Sequence, residues 1–335
     1  MNVSIDIETF SNVDLSVTGV TKYAASLDFD ILMMAYAVDD GDVELIDFTS
    51  IRDPKRNLLF HLNLWMKKGA TITAYNASFE WTCICAWLDR LVTREWKNRL
   101  LERMTCTMSQ AAYCGLPIGL SATGAALGLP EDKQKMAIGK KLIEVFCKPS
   151  KKALAGARVT PQQEPEKWQL FMDYCRQDVE AERAIHRLLS AHRMPEEELA
   201  LWRHTCRMNA RGVAVDEALV QGAIAITQDE DARLAADAAD LGLANPKSLQ
   251  QLKAAVNEAL AGAEEITALR RADVKALLEK YPENETLQKL LSNRLQGGKS
   301  SLAKYPAILA AALDGRVHDL TMYYGASRTG RFAGR

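Results

Sequence analysis

Acidic side chains stand at three places in this sequence where their types and spacing could do chemistry. Near the start, Val3-Ser4-Ile5-Asp6-Ile7-Glu8 alternates apolar and polar residues. In an extended strand Val3, Ile5 and Ile7 point one way and Ser4, Asp6 and Glu8 the other. Two carboxylates on one face of an apolar strand repel each other, and a bound cation would resolve the repulsion; a half-exposed edge strand with a solvated face explains the pair equally well. Farther on, Tyr174 and Asp178 stand four residues apart and so share a helical face. They border an apolar stripe, either as a surface pair or as groups leaning into the domain. Between these, Ala74-Tyr75-Asn76-Ala77-Ser78-Phe79-Glu80 marks a strand passing into a helix. Asn76 suits an N-cap, and Glu80 falls in the first helical turns, where a carboxylate meets the positive helix end. Ordinary capping accounts for this stretch by itself. Together, four acids and a tyrosine from three elements can surround two divalent ions. Hard oxygen ligands suit Mg²⁺ or Mn²⁺, and two ions about 3.5–4 Å apart stabilise both the attacking and the leaving oxygen when a phosphodiester is hydrolysed.

The elements that must position these groups can be read in outline. Val3–Ile7, Ile31–Val38, Val43–Phe48 and Thr71–Tyr75 read as strands, the second apolar enough to be buried on both faces. Pro54 suits a helix start, with Leu58, Leu59, Leu62 and Trp65 at helical spacing. A second helix is expected over Ala77–Leu91. Strands interleaved with helices predict an α/β domain with a mixed sheet. Residues 121–192 read as mainly helical, with an exposed loop over Lys148–Pro165 and a long helix over Glu166–His192. The apolar stripe of that helix is Trp168, Phe171, Cys175, Val179, Ile185 and Leu189.

Pro195 marks the expected domain boundary, so the first domain is drawn over 1–194. An α-helical domain is expected over 195–314, with helices through 217–241, 248–260, 270–280 and 284–313. Ser248 and Gln251 have capping-box spacing. Residues 315–335 return to strand and loop chemistry. In the helical half, Gly298-Lys299-Ser300 fails as a phosphate loop, because Asn293 stands where the first glycine is required. Arg294, Lys299, Ser300 and Lys304 could instead contact a nucleic-acid backbone; a solvated basic helix face is the alternative.

Asp-x-Glu in the first strand, Asn-x-x-x-acid in the middle and Tyr-x-x-x-Asp in a late helix resemble the three exonuclease motifs of the DEDD superfamily. More narrowly, they resemble its tyrosine branch, which includes the proofreading domain of DNA polymerase I and ribonuclease D. Asn209-Ala210-Arg211-Gly212-Val213-Ala214-Val215-Asp216 looks like the start of the thumb of family A DNA polymerases. Asp314-Gly315-Arg316-Val317-His318, then Thr329-Gly330-Arg331, looks like the start of their palm, and Tyr324-Gly325-Ala326 with Phe332-Ala333-Gly334-Arg335 leans toward phage and prophage members.

The resemblance implies a ribonuclease H-like exonuclease domain followed by a helical thumb-like domain. In it Asp6, Glu8, Glu80 and Asp178 would hold two Mg²⁺ or Mn²⁺ ions, and Tyr174 would orient the attacking water or help take its proton. The reaction implied is 3′→5′ release of nucleoside 5′-monophosphates. Asn76 and Phe79 would meet the single-stranded 3′ end of DNA, Lys299 and Lys304 would hold primer–template duplex, and Arg331 would approach the primer end. One departure is Glu80, where DNA polymerase I carries Asp. The family's remaining palm aspartates and fingers helix would lie beyond Arg335, so a working polymerase would need a missing C-terminal part or a separate chain. A ribonuclease D-like RNA exonuclease and a catalytically weak, DNA-binding half of a split polymerase are the competing implications.

Composition sets wider bounds. At 335 residues, 48% hydrophobic and 25% charged, the chain suits two ordinary globular domains. A net charge of −1 does not advertise a nucleic-acid binder, although gathered carboxylates would cancel basic residues placed elsewhere. The seven cysteines are scattered; Cys83 and Cys85 lack the second half of a zinc signature, so reduced, buried thiols are expected. No membrane span or signal peptide is read, which implies the cytoplasm of a bacterium or phage-infected host.

Overall fold

The computed structural model describes residues 1–130, 138–150, 158–245, 248–297 and 300–334, with backbone alone at 300 and 301. These fall into two compact units, one of Met1–Ala214 with Ala311–Arg335 and one of Val215–Ala310. The divisions therefore fall some twenty residues after the expected 194 and a few before the expected 314.

The first unit runs through β1 (Asn2–Phe10), α1 (Leu15–Ala24), β2 (Asp30–Val38), β3 (Glu44–Asp47), α2 (Pro54–Lys67), β4 (Thr71–Ala74) and α3 (Ala77–Trp87). It continues through α4 (Arg94–Arg103), β5 (Met104–Cys106), α5 (Thr107–Tyr113), α6 (Leu120–Ala126), α7 (Gly139–Phe146), α8 (Pro165–Leu188) and α9 (Glu196–Arg211). The five-stranded sheet has the order β3-β2-β1-β4-β5. β2 and β3 run antiparallel to their neighbours, whereas β4 and β5 run parallel, so the sheet is mixed as expected. β1 is central, although at Asp6 and Glu8 it pairs with β2 alone; Glu8 is buried and Asp6 half-buried, so the face that carries them is not a solvated one.

Both faces of the sheet are covered. Val3, Ile5, Ile7 and Ile72 pack with Leu58 and Leu62 of α2, Ile84 of α3 and Leu100 of α4. On the other face Leu32, Met33, Ala35 and Ala37 pack with Phe146 of α7 and with Phe171, Cys175 and Val179 of α8. A bulge separates the two sets: Glu8 pairs with Met33 and Thr9 with Ile31, leaving Leu32 as an extra residue. Strict alternation is broken there, so Leu32 and Met33 both turn toward α8 while Ile31 and Met34 join the opposite core. Bulges of this kind re-aim side chains beside functional sites.

α8 starts at Pro165, whose missing N–H costs nothing in a first turn. Its stripe serves two cores, Trp168 to Val179 against the sheet and Ile185 with Leu189 against Ala111 and Leu129. α9 belongs to the first unit because Trp202 and Cys206 enter the same core as β1. The segment after Ala311 returns to that unit as short strands β7 (Ala312–Leu313), β8 (Arg316–Val317), β9 (Thr321–Ala326) and β10 (Arg331–Gly334), with β8 pairing to β6 (Val213–Ala214) and β7. Tyr323 enters the main core.

The second unit is helical, as expected: α10 (Glu217–Asp240), α11 (Leu249–Ala259), α12 (Arg271–Lys280), α13 (Glu285–Gly297) and α14 (Lys304–Ala311). Val256, Val274, Leu287 and Leu291 are at the centre of its core. Ser248 does cap α11 through Gln251 N, but the Gln251 side chain accepts from Asn245 N, three residues before the cap. The helix expected over 284–313 is divided at Gly297 and ends in β7.

One contact anchors the returning segment. Asp319, buried and at φ 57°, accepts from Thr21 N at 2.7 Å and Thr21 Oγ1 at 3.1 Å, beside Gly19, which breaks α1 at φ 80°. A Cβ on Gly19 would lie 2.8 Å from Asp319 Oδ2. Asp319→Ala should cost about 1.5–3 kcal/mol, the worth of a hydrogen bond to a charged group. Asp319→Asn, which tolerates the left-handed region and keeps an acceptor, should cost less. Urea unfolding of both variants checks the order.

Candidate active site

β1 delivers Asp6 and Glu8 to the face that α8 covers, and α8 delivers Tyr174 and Asp178 to the same place. Glu8, Asp178 and Tyr174 are buried and Asp6 is half-buried. From the first turn of α3 comes Glu80, only 4% exposed. Among the described residues its Oε2 has no hydrogen-bond partner. Burial holds the Glu80 carboxyl well above its ordinary value, and the charges of Asp6 and Glu182 push it the same way. Burial likewise raises the Tyr174 phenol, with added contributions from Asp178, Glu8 and Asp6 and from its hydrogen bond to Asp178. The five side chains expected to act together therefore sense one another electrostatically.

Among the described residues no three carboxylate, imidazole or thiol groups converge closely enough to hold an ion. The donor set nevertheless suits a hard cation, being made of carboxylate oxygens with one buried oxygen unsatisfied. Mutual repulsion is a sufficient reason for such groups to stand apart.

Several supporting residues escaped sequence reasoning. Glu182, one turn beyond Asp178, is buried; Thr107 Oγ1 donates to its Oε1, and Thr73 Oγ1 lies 3.5 Å from its Oε2. Ser4 Oγ meets Thr73 Oγ1 at 2.9 Å, so a polar chain links β1, β4, α5 and α8. The visible signal was the row Tyr174, Asp178, Glu182 at steps of four. Cys175 Sγ donates to Asp6 Oδ2 at 3.5 Å and Cys147 Sγ to Glu8 Oε2 at 3.7 Å. Tyr174 stacks on Phe171 with centroids 6.0 Å apart. Gly139 closes over its other side, where a Cβ would come within 2.1 Å of the ring.

Asn76 sits at the N-cap of α3 as expected, but among the described residues its side chain makes no capping bond. Its Oδ1 accepts from Ser78 Oγ at 2.9 Å instead. Asn76, Ser78 and Phe79 line a cavity of ≈ 310 Å³ with Val17, His318 and Leu320. A larger cavity of ≈ 840 Å³, walled by Phe29, Trp81 and Trp87, includes none of the five acting side chains, so size alone does not locate the chemistry.

The basic residues lie elsewhere. In the second unit Arg294 is half-buried on α13, and Lys304 is exposed with Nζ 5.3 Å from the Tyr305 ring centroid. Lys299 and the Ser300 side chain fall outside the described residues. Arg331 is exposed in the first unit, its Nε donating to Thr329 Oγ1 at 3.1 Å. Cys83 and Cys85 are free, buried thiols.

No protein-family model matches the sequence. A DNA polymerase of Bacillus phage SP02 is 40% identical over 339 residues, covering 99% of this chain and 50% of that protein. Among solved structures, the POL domain of Pol1 from M. smegmatis, in complex with DNA primer-template and dNTP, matches with a TM-score of 0.56 and 16% identity, over 99% of this chain and 50% of that one. At that identity the likeness is one of fold. The chain spans about half the length of each relative.

Glu80 yields a pH test. Because its folded pKa lies above the ordinary 4.5, the folded state keeps a proton that the unfolded chain has released. Stability is then lost as pH rises from 4.5 toward the folded pKa. In EDTA, Glu80→Gln should melt higher than wild type at neutral pH, with the difference closing at and below pH 4.5. Melting curves across that range read it directly.

Proposed function

This chain belongs to the family A DNA polymerases, and from that premise we propose that its first unit is a metal-dependent 3′→5′ exonuclease acting on DNA. The observation that carries the reading is the buried Glu80 oxygen without a partner, in the field of Asp6. An acid so placed costs free energy, and a cation would return it. In this reading Asp6, Glu8, Glu80 and Asp178 hold two Mg²⁺ or Mn²⁺ ions. Bound there, the ions supply a lowered water pKa and stabilise charge on the attacking and leaving oxygens.

The chain's own residues do the remaining work. Tyr174 keeps its proton and donates to Asp178, so it orients a water instead of accepting a proton from it. Its ring stacks on Phe171 and packs closely beside Gly139, where any Cβ would collide with it. Asn76 and Phe79, beside the ≈ 310 Å³ cavity, would meet the terminal nucleotides, and the α8 cover keeps bulk water from Glu8 and Asp178. The fold is then a ribonuclease H-like exonuclease domain, and the second unit is a thumb-like domain that holds primer–template duplex through Arg294, Lys299, Ser300 and Lys304. Arg331 would approach the primer end. A second reading, a DNA-holding half with little turnover, is favoured by the acids that do not converge.

Incubating 3′-labelled and 5′-labelled DNA with the protein in Mg²⁺, Mn²⁺ or EDTA tests the proposal. Metal-dependent stepwise shortening from the 3′ end is expected, and Asp6→Ala should abolish it while leaving single-strand binding in place. Intact DNA in every lane, from folded protein, selects the second reading; faster loss of an RNA strand would move the substrate to RNA. For the second unit, replacing Lys299 and Lys304 together by Ala should weaken duplex binding and lower the salt slope by about 2, one counterion per lost phosphate contact. An unchanged slope removes those lysines from the interface.

A further inference from the structure

Two cysteines touch the carboxylates of the proposed site, and the exonuclease reading gives them no role. Cys175 follows Tyr174 on α8 and is fully buried. Its Sγ lies 3.5 Å from Asp6 Oδ2 and 3.8 Å from the Asp6 carbonyl oxygen. Cys147, directly after α7 and 7% exposed, places Sγ 3.7 Å from Glu8 Oε2. Ionised carboxylates and carbonyl oxygens only accept, so in each contact the thiol is the donor. The two acids of β1 thus each receive an S–H from a different helix on the same side of the sheet.

We propose that Cys175 and Cys147 are positioning residues that fix the carboxylates of Asp6 and Glu8 for divalent cations, an inference that rests on the exonuclease reading above. A donor on one oxygen limits rotation of the carboxylate and fixes which way it presents itself. Ligating carboxylates are commonly held by such outer hydrogen bonds, whose loss costs about 10–100-fold in metal affinity or activity. A thiol suits the task here because it is a weak donor that packs like a small apolar group. It fills the interior beside Phe146 and Phe171 without competing strongly with a cation for the oxygen. Packing alone would also place cysteines in this core, so the experiment has to separate donation from volume.

Mn²⁺ binding to the purified chain, measured by isothermal titration calorimetry, makes that separation. The double variant Cys147→Ala/Cys175→Ala is expected to bind Mn²⁺ about 10–100-fold more weakly. Cys147→Ser/Cys175→Ser, which keeps both donors, should retain most of the affinity. Cys85→Ala controls for loss of a buried thiol that makes no carboxylate hydrogen bond among the described residues. In the cleavage assay the double alanine variant should regain its rate at saturating Mn²⁺, whereas a general structural defect would depress the rate at every concentration. If the double variant does not fold, Cys175→Ala against Cys175→Ser gives the same comparison. Wild-type affinity in the alanine variants overturns the proposal, and so does equal weakening by alanine and serine. No Mn²⁺ binding by the wild-type chain would instead bring down the exonuclease reading, and this inference with it.

Discussion

Carboxylates placed in the largely buried region between β1, α3 and α8 are the constraint on which the rest of the first unit depends. Asp6, Glu8, Glu80 and Asp178 are brought to one end of β1, and Glu182 stands one helical turn farther along α8. Burial disfavours the charged form of each of these acids, and a neighbouring negative charge adds to that cost. The structure meets the problem in different ways. Glu182 is stabilised by hydroxyl donors, with Thr107 and Thr73 at its two oxygens. Glu80 Oε2 has no partner among the described residues, and burial raises the carboxyl well above its ordinary pKa.

The surrounding architecture keeps that arrangement from relaxing. β1 pairs with β4 over Asn2–Ser4 and with β2 through Asp6 and Glu8, and α8 packs over the face that carries the two acids. The bulge opposite Glu8 and Thr9 shifts Leu32 toward α8, which lets the helix seat on apolar side chains while its acids face the strand. Gly139 at the start of α7 leaves room for the Tyr174 ring, and any larger side chain would have to move it. On the opposite side, Tyr23 of α1 joins Thr9 through its hydroxyl at 2.9 Å and faces Phe79 at 6.4 Å, while Asp319 from the returning segment holds the backbone of the same helix.

Much of this was legible in the sequence because the relevant signals are local. Alternation in Val3–Glu8 and the four-residue step from Tyr174 to Asp178 placed four of the five candidate groups on the strand and the helix that carry them. The change from strand to helix at Asn76 placed the fifth. What stayed hidden depends on long-range contact. Nothing near Glu80 says that its Oε2 is buried with no partner among the described residues, since that follows from packing α3 against β2, β4 and β5. Cys175 read as part of an apolar stripe because a thiol and a small aliphatic group leave the same periodic mark. The β2 bulge leaves no local trace. α9 was assigned to the helical half because Pro195 looked like a boundary, whereas Trp202 and Cys206 anchor the helix in the first core.

The connection between the two units is confined to one small sheet. The first unit is discontinuous in sequence: it is interrupted after Ala214 and resumes at Ala311. β6, which ends at Ala214, and β7, which begins at Ala312, both pair with β8. The chain therefore leaves and re-enters the first unit through neighbouring strands of one small sheet. An insertion that starts and finishes so close together imposes little strain on the unit that carries it, because loop closure costs only slowly more as a loop lengthens. The residues after Ala311 are then structurally part of the first unit, through Asp319, Tyr323 and β8, although their sequence resemblance is to a palm. A change in that segment would reach α1 and the cavity beside Asn76 and Phe79 through the Asp319–Thr21 contact, without crossing the helical unit.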